Sequence, residues 1–343
     1  VSTDSGMPSI SDDGERVVFT TVQIWGVLAD GSDLRMLFDD FGLYDWPVIS
    51  GDGGAVYFRS QLSVLPGPAC SSGQDLGVVD WDGSNARTLT HTELGATGCG
   101  TTGYPSPLDD GSSVVYSDLT SGEILTVDQA TATQVRLIPA PGDYDVCSGS
   151  SVSGDGSVIA FQCPASVLFG DANPDDGRET YVMDGDGTNP RPVTDGVVGG
   201  SFAPDLTSDG TVAAFVSWAD PGAEGGLPGA RVYHAPLDGT TPSRLTPPGA
   251  HSTCAVTLPD DGAFVVYASD TDPTTGDRGV FEVYRADAAS AVVERLTTAV
   301  ADQPHVSGDG GTVVFRSRGS YGGVPSSLTY RVWRMDADGT GFV

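Results

Sequence analysis

An Asp-Gly pair recurs seven times along the 343 residues, with its glycine at Gly14, Gly53, Gly111, Gly156, Gly210, Gly262 and Gly310. The spacing averages about 49 residues, the length of one supersecondary unit in a repeat protein. Five residues after each of these glycines stands an aromatic: Phe19, Phe58, Tyr116, Phe161, Phe215, Tyr267 and Phe315. Aromatics make up 8% of the chain, so seven hits in seven mark an architectural position. Such a unit cannot bury its apolar face alone; it must stack on its neighbours.

Each unit reads as four short strands. A first strand such as PSIS (8–11), PVIS (47–50) or PHVS (304–307) runs into the Asp-Gly turn, and a second strand follows, as in RVVFT, AVYFR and TVVFR. Aspartate bonds its own backbone in a tight turn, and glycine takes positive φ without steric cost. After a variable loop comes a third strand (ETYVMD, RVWRMD), a second turn (ADG, WDG, GDG, LDG), and a fourth strand ending RTLT, SRLT or ERLT. Four antiparallel strands per unit, seven units, predict an all-β, seven-bladed β-propeller.

These motifs resemble the TolB-type (WD40-like) propeller repeat, in which a proline-x-x-serine-x-aspartate-glycine stretch precedes the later turn and an arginine-leucine-threonine strand. The resemblance covers essentially the whole chain and implies the fold, while the family hosts many tasks. Blade 3 departs from it with DQA (128–130) at the second turn, and blade 6 with DAA (287–289). One propeller domain spans 1–343, with blades at 4–43, 44–100, 101–146, 147–199, 200–250, 251–300 and 301–343 plus 1–3. The last unit stops at DGTGFV, and Val1–Thr3 align with the tail of blade 6, so the N-terminal segment is expected to complete blade 7 and close the ring.

Composition narrows the partners. The net charge of −30 excludes nucleic acid and anionic membrane surfaces, which need a basic face. Only seven of the 46 acidic residues are glutamate, and aspartate is the turn-forming acid, so most of the charge is turn chemistry. All 16 basic residues are arginine. No apolar run approaches the ~20 residues of a membrane helix. Val1 in place of an initiator methionine suggests a processed or trimmed chain.

Both turns of every blade fall on one face, and the long insertions (61–75, 164–178, 219–230, 269–279 and 318–329) fall on the other. A rigid scaffold that positions loops puts function there. Approaching the innermost strands on that face are Tyr44, Asp45 and Trp46; Tyr104; Asp143, Tyr144 and Asp145; Phe202; His251; and Asp302 and His305. Aromatics beside carboxylates suit sugar rings or peptide side chains; their bland role is to pack between blades. Gln23, Asp75, Glu123, Glu179, Arg231, Glu282 and Arg331 form a further ring, read as ion pairs between blades.

Residues 169–188, FGDANPDDGRETYVMDGDGT, divide in two. ETYVMDGDGT is third strand plus turn. Asp171, Asn173, Asp175 and Asp176 lie in an insertion and imitate the start of an EF-hand loop, which makes structural calcium the one cofactor to consider. The glycine falls one place late, however, and Val182 stands where the loop needs glutamate. Asp270, Asp272 and Asp277 echo the pattern loosely. No Gly-x-Ser-x-Gly elbow and no His-Glu-x-x-His or Cys-x-x-Cys pair is present, so nucleophilic and zinc chemistry find no support.

The expected function is therefore a non-catalytic recognition or scaffold module, secreted or at the cell surface, that binds polysaccharide or protein on its long-loop face. The alternative is a polysaccharide lyase at the channel mouth, using His251 or His305 with Tyr104 or Tyr144. Register about the blade 4 turn sets Val152 against Val158 and Ser150 against Ala160, which puts Cys147 opposite Cys163 in a disulfide. Cys70 and Cys99 form a second pair on the loop face, leaving Cys254. Disulfides imply an oxidising compartment.

Overall fold

The computed structural model describes residues 6–39, 44–60, 75–90, 104–119, 121–138, 147–164, 178–194, 200–218, 229–246, 253–273 and 275–343. Every regular element in them is a β-strand, and the strands form seven antiparallel sheets. Six sheets have four strands in sequential order. The seventh has three, Ala301–Val306, Thr312–Ser317 and Arg331–Asp336. Among the described residues its edge is prolonged only by Val343, whose N–H and C=O both pair with Arg334. The innermost strands, from Gly6–Ile10 to Ala301–Val306, lie each against the next and the last against the first. This is the ring of a seven-bladed propeller. The segment expected to close blade 7, Val1–Thr3, lies outside the described residues, and no described helix is long and apolar enough to cross a membrane.

The repeat motif has a local physical cause. In all seven first turns the aspartate carboxylate (Asp13, Asp52, Asp110, Asp155, Asp209, Asp261, Asp309) accepts the backbone N–H two residues on. The glycine that follows sits at φ between 61° and 74°, a left-handed conformation that a side chain would strain. Second turns repeat the device with Asp30, Asp82, Asp186, Asp238 and Asp338. Where blades 3 and 6 lack that Asp-Gly, Asp128 and Asp287 reach three residues on, to Thr131 and Ser290. Much of the negative charge is thus turn chemistry.

The leucine-threonine ending is equally local. The leucine N–H donates to a third-strand carbonyl, as Leu89 does to Leu76, Leu245 to Val232 and Leu296 to Val283. The threonine hydroxyl then accepts the N–H of the same third-strand residue: Thr90 from Leu76, Thr246 from Val232, Thr297 from Val283. The core lies between blades. Val18, Ile24 and Leu37 of blade 1 pack on Ile49, Val56 and Phe58 of blade 2, and the pattern repeats around the ring. Of the seven periodic aromatics six are buried; Phe19 alone is partly exposed.

Cys147 and Cys163 are disulfide-bonded, with Cα atoms 4.3 Å apart. The register behind that pairing differs from the one read in the sequence: Val152 faces Ile159 and Ser151 faces Ala160. A bulge between Ser148 and Ser151, with Gly149 at φ 62°, shifts the pairing back by one, so that Ser148 faces Gln162 and the cysteines meet. Cys70 and Cys99 lie outside the described residues, as does the side chain of Cys254.

Candidate ligand-binding rim and central channel

Three layers of the innermost strands line the axis. The layer nearest the long loops is bulged in six of the seven blades, blade 3 being the exception. Seven residues before each turn glycine stand Met7, Trp46, Tyr104, Gly149, Ala203, Ala255 and Gln303. Met7, Trp46, Ala203, Ala255 and Gln303 all hold φ of 51–54°, although none is glycine. Each such residue costs roughly 1–2 kcal/mol. A register shift marks each site. Bulges of this kind re-aim side chains, and strain of this kind collects where function requires it.

On one side of the mouth the bulges contact one another. Gln303 Oε1 of blade 7 accepts the Met7 N–H of blade 1 at 2.8 Å, and Met7 Sδ accepts the Trp46 N–H of blade 2 at 3.2 Å. Trp46 meets Tyr104 of blade 3 edge to face, with ring centroids 4.5 Å apart. Arg59 lies over the Trp46 ring at 4.7 Å. At the other end of this arc Arg316 is ion-paired with Asp302, and Arg316 and Arg318 flank the Tyr330 ring at 4.5 and 4.2 Å. Gly6 leaves room for that guanidinium, since a Cβ there would lie 3.1 Å from Arg316 Nη1. Tyr104 is 47% exposed, and Trp218, beside Phe202, is 46% exposed. The rim therefore offers aromatic faces flanked by arginines, on a chain that is otherwise strongly acidic.

The middle layer is polar: Ser106, Ser151, Asp205, Thr257 and His305 line the channel, with Val48 the exception, and Ser9 holds the equivalent position in blade 1. Ser9 accepts the Ile49 N–H, Ser106 the Val152 N–H and Asp205 the Leu258 N–H, so each side chain ties its blade to the next. Asp205 also accepts the Ser151 hydroxyl. Burial pushes the Asp205 carboxyl up to about 6 and the His305 imidazole down to about 4. His305 Nδ1 has no hydrogen-bond partner.

At the turn end the ring is joined by backbone. The Asp12 N–H donates to Gly51, Asp52 to Asp109, Asp109 to Gly154, Gly154 to Ser208, Asp260 to Gly308, and Asp309 back to Asp12. Asp12, Asp109 and Asp260 crowd the opening, interleaved with Gly51, Gly154 and Gly308, where any Cβ would collide with those carboxylates. Burial and the charges of Asp109 and Asp260 push Asp12 up to about 7, and burial and Asp109 raise Asp260. The channel cavity here has a volume of about 110 Å³. Drug-sized ligands need roughly 300–1,000 Å³, so this channel admits water or an ion and no sugar ring.

Of the residues singled out from sequence, Trp46, Tyr104, Asp302 and Phe202 reach the rim, and His305 lies below it in the channel. Tyr44 and Asp45 sit on the first strand of blade 2, with side chains outside the described set. Asp143, Tyr144, Asp145, His251 and the calcium candidates Asp171, Asn173, Asp175 and Asp176 lie outside the described residues. Of the looser echo, Asp270 pairs with Arg278 and Asp272 closes a turn onto Thr275. Among the described residues no His, Cys, Asp and Glu side chains are grouped to hold a metal. His305 lines the channel cavity and Tyr104, on blade 3, does not. Where partners of the expected ion-pair ring are defined they lie within a blade: Glu123 with Arg136, Glu282 with Arg295, Glu179 with Thr194.

Sequence reading passed over Met7, Gln303, Arg59, Arg316, Arg318 and Tyr330. Tabulating positions by offset from the turn glycine finds the first four, because the bulge residue stands at minus seven and both arginines at plus six.

The fold is a seven-bladed β-propeller, which TolB also has. No protein-family model matches the sequence, and no curated protein matches it. Among solved structures, TolB from Acinetobacter baumannii is 16% identical with a TM-score of 0.55, over 97% of this chain and 77% of that one. An oligogalacturonate lyase from Vibrio parahaemolyticus is 14% identical with a TM-score of 0.69, over 97% and 90%. A puromycin-hydrolysing peptidase from Mycobacterium tuberculosis is 18% identical with a TM-score of 0.66, over all of this chain and 52% of that one. At these identities the likeness is one of fold.

Proposed function

We propose that this propeller is a non-catalytic recognition module, secreted or displayed at the cell surface, that binds a polysaccharide or a protein segment on its long-loop face. The observation that carries the reading is the arc from Arg316 and Tyr330 through Gln303 and Met7 to Trp46, Arg59 and Tyr104. Aromatic faces stack on sugar rings or apolar side chains, and arginines pair with carboxylates. The strained bulges fix those groups before the ligand arrives, which lowers the ordering cost of binding. No paired acid and base converge on the rim among the described residues, and His305 stays neutral beneath it. The disulfide agrees with an oxidising compartment.

A glycan and peptide array with and without calcium, followed by titration of the best binder, tests this reading. Trp46→Ala and Tyr104→Ala should each weaken binding at least about tenfold, the scale of a lost aromatic anchor. Polysaccharide cleavage with release of unsaturated sugar ends would replace this reading with that of a lyase; the Vibrio neighbour of the same fold is an oligogalacturonate lyase.

A further inference from the structure

Two residues before each first-turn glycine the chain reads Asp12, Gly51, Asp109, Gly154, Ser208, Asp260 and Gly308, and all seven line the turn end of the channel cavity. These turns all belong to the described residues. The alternation is steric: a Cβ on Gly51, Gly154 or Gly308 would collide with Asp12, Asp109 or Asp260 of the preceding blade. Three carboxylates therefore share one narrow opening. Only Asp109 has a side-chain partner within the ring, accepting the Ser208 hydroxyl at 2.5 Å. The charges bearing on Asp12 and Asp260 all come from other aspartates, and no described arginine is ion-paired with either.

Crowded acids alone name no ligand, because turns favour aspartate for local reasons. A second observation lies deeper, in the middle layer of the same cavity. His305 lines it, and His305 Nδ1 is buried with no hydrogen-bond partner. Burial holds this imidazole neutral, so its one lone pair is open to a donor. Asp205 stands in that layer too. Between the two polar levels the cavity is lined by Ile10, Ile49, Val152, Leu206, Leu258 and Val306.

From these surfaces we infer that the turn-end mouth receives a lysine side chain of a partner protein whose docking face is basic. The carboxylates at the mouth draw in the cation, the apolar band covers its methylene stem, and His305 and Asp205 take its donor hydrogens. The two polar levels are three residues apart, about 10 Å along a strand, which an extended lysine and one hydrogen bond can cover. Asp13, Asp52, Asp155, Asp261 and Asp309 stand in the same turns and complement a basic face. A metal ion fits less well: it needs donors converging within about 2.6 Å, and none among the described residues are so grouped. A guanidinium is a planar fork, poorly shaped for a channel of about 110 Å³. The chain has no lysine of its own for this place, all 16 basic residues being arginine.

The test is calorimetric titration of the whole chain with pentalysine at low salt and above pH 7.5, where Asp12 is mostly ionised. Saturable binding of one peptide per chain is expected, with pentaarginine binding more weakly. Asp12→Asn combined with Asp109→Asn should weaken pentalysine at least about tenfold, the scale of lost hydrogen bonds to a charged group. Asp82→Asn combined with Asp186→Asn removes the same charge from outer turns of the same face and should change binding by less than about twofold. The ring signals of His305 in nuclear magnetic resonance, assigned with His305→Gln, should shift on binding, and that variant should bind about threefold more weakly. No saturable binding, equal loss from the inner and outer pairs, pentaarginine binding as tightly as pentalysine, or unmoved His305 signals would each overturn the proposal.

Discussion

The two mouths of the channel are built from the same seven strands by opposite means. At the turn end, backbone hydrogen bonds pass from blade to blade, with Asp309 bonding back to Asp12, and the side chains are aspartate, serine or nothing. At the loop end, neighbouring blades meet through side chains, Gln303 to Met7 to Trp46 to Tyr104, and five non-glycine residues are held in left-handed conformation. One end is a belt of backbone bonds at six of the seven blade junctions, and the other an irregular rim. Backbone contacts make a ring that any sequence with the right turns can form. Side-chain contacts make a surface whose shape belongs to this sequence, and that is what recognition requires.

The largest test of this contrast removes a covalent clamp from the loop end. Cys147→Ser with Cys163→Ser opens a loop with a sequence separation of 16, worth about 3 kcal/mol by chain entropy. At about 2 °C per kcal/mol for a chain of this size, the melting temperature should fall by about 6 °C. Ligand affinity should be unaffected, because blade 4 lies outside the arc. A parallel loss of affinity would show that the rim depends on the whole ring and not on blades 7, 1, 2 and 3.

A smaller effect distinguishes idle strain from strain in use. Ala203→Gly and Ala255→Gly should each relieve about 1 kcal/mol of left-handed strain and raise the melting temperature by about 2 °C. Gln303→Gly should give no gain, because its side chain also accepts the Met7 N–H. Equal gains at all three positions would mean that the contact between bulges contributes nothing.

The same contrast explains what could be read from the sequence. Turns are local: Asp13, Ser11 and Gly14 form one within four residues, and seven copies made the fold legible. The threonine of the fourth strand was legible as a motif for the same reason. The rim is not local. Its members lie one per blade, and the bulge position holds methionine, tryptophan, tyrosine, glycine, alanine or glutamine, so no residue type announces it. Trp46, Tyr104 and Asp302 were visible as aromatics and acids near the right strands, whereas Arg316 and Gln303 acquire meaning only from contacts across blades. Side-chain alternation predicts the Cys147–Cys163 pairing with a turn register one residue off, because it does not reveal the bulge at Gly149.

The smallest effect concerns the turn end and is read as a slope with pH. Asp12 faces Asp13 on its own turn, Asp52 and Asp109 from blades 2 and 3, and Asp260 from blade 6, all acidic. Its folded value of about 7 lies above the ordinary 3.8, so the folded chain holds one proton more than the unfolded chain between those values. Stability from this group is then fully present below about pH 4 and is lost as pH rises toward 7. Asp205, at about 6, acts in the same direction, while His305, lowered from 6.5 to about 4, acts in the opposite one, losing stability as pH falls through that window. These two nearly cancel; Asp12, with Asp260 adding to it, drives the fall, and His234, lowered by burial, opposes it in the same direction as His305. The melting temperature should therefore fall between pH 4.5 and 7, by about 2 °C for each kcal/mol lost. Asp12→Asn keeps the shape of the side chain and removes its charge, and it should flatten that fall. His305→Asn should steepen it, by removing the opposing group. Should the parent and Asp12→Asn melt with the same pH dependence, the crowding of carboxylates at this mouth carries no energy, and the belt is held by its backbone bonds alone.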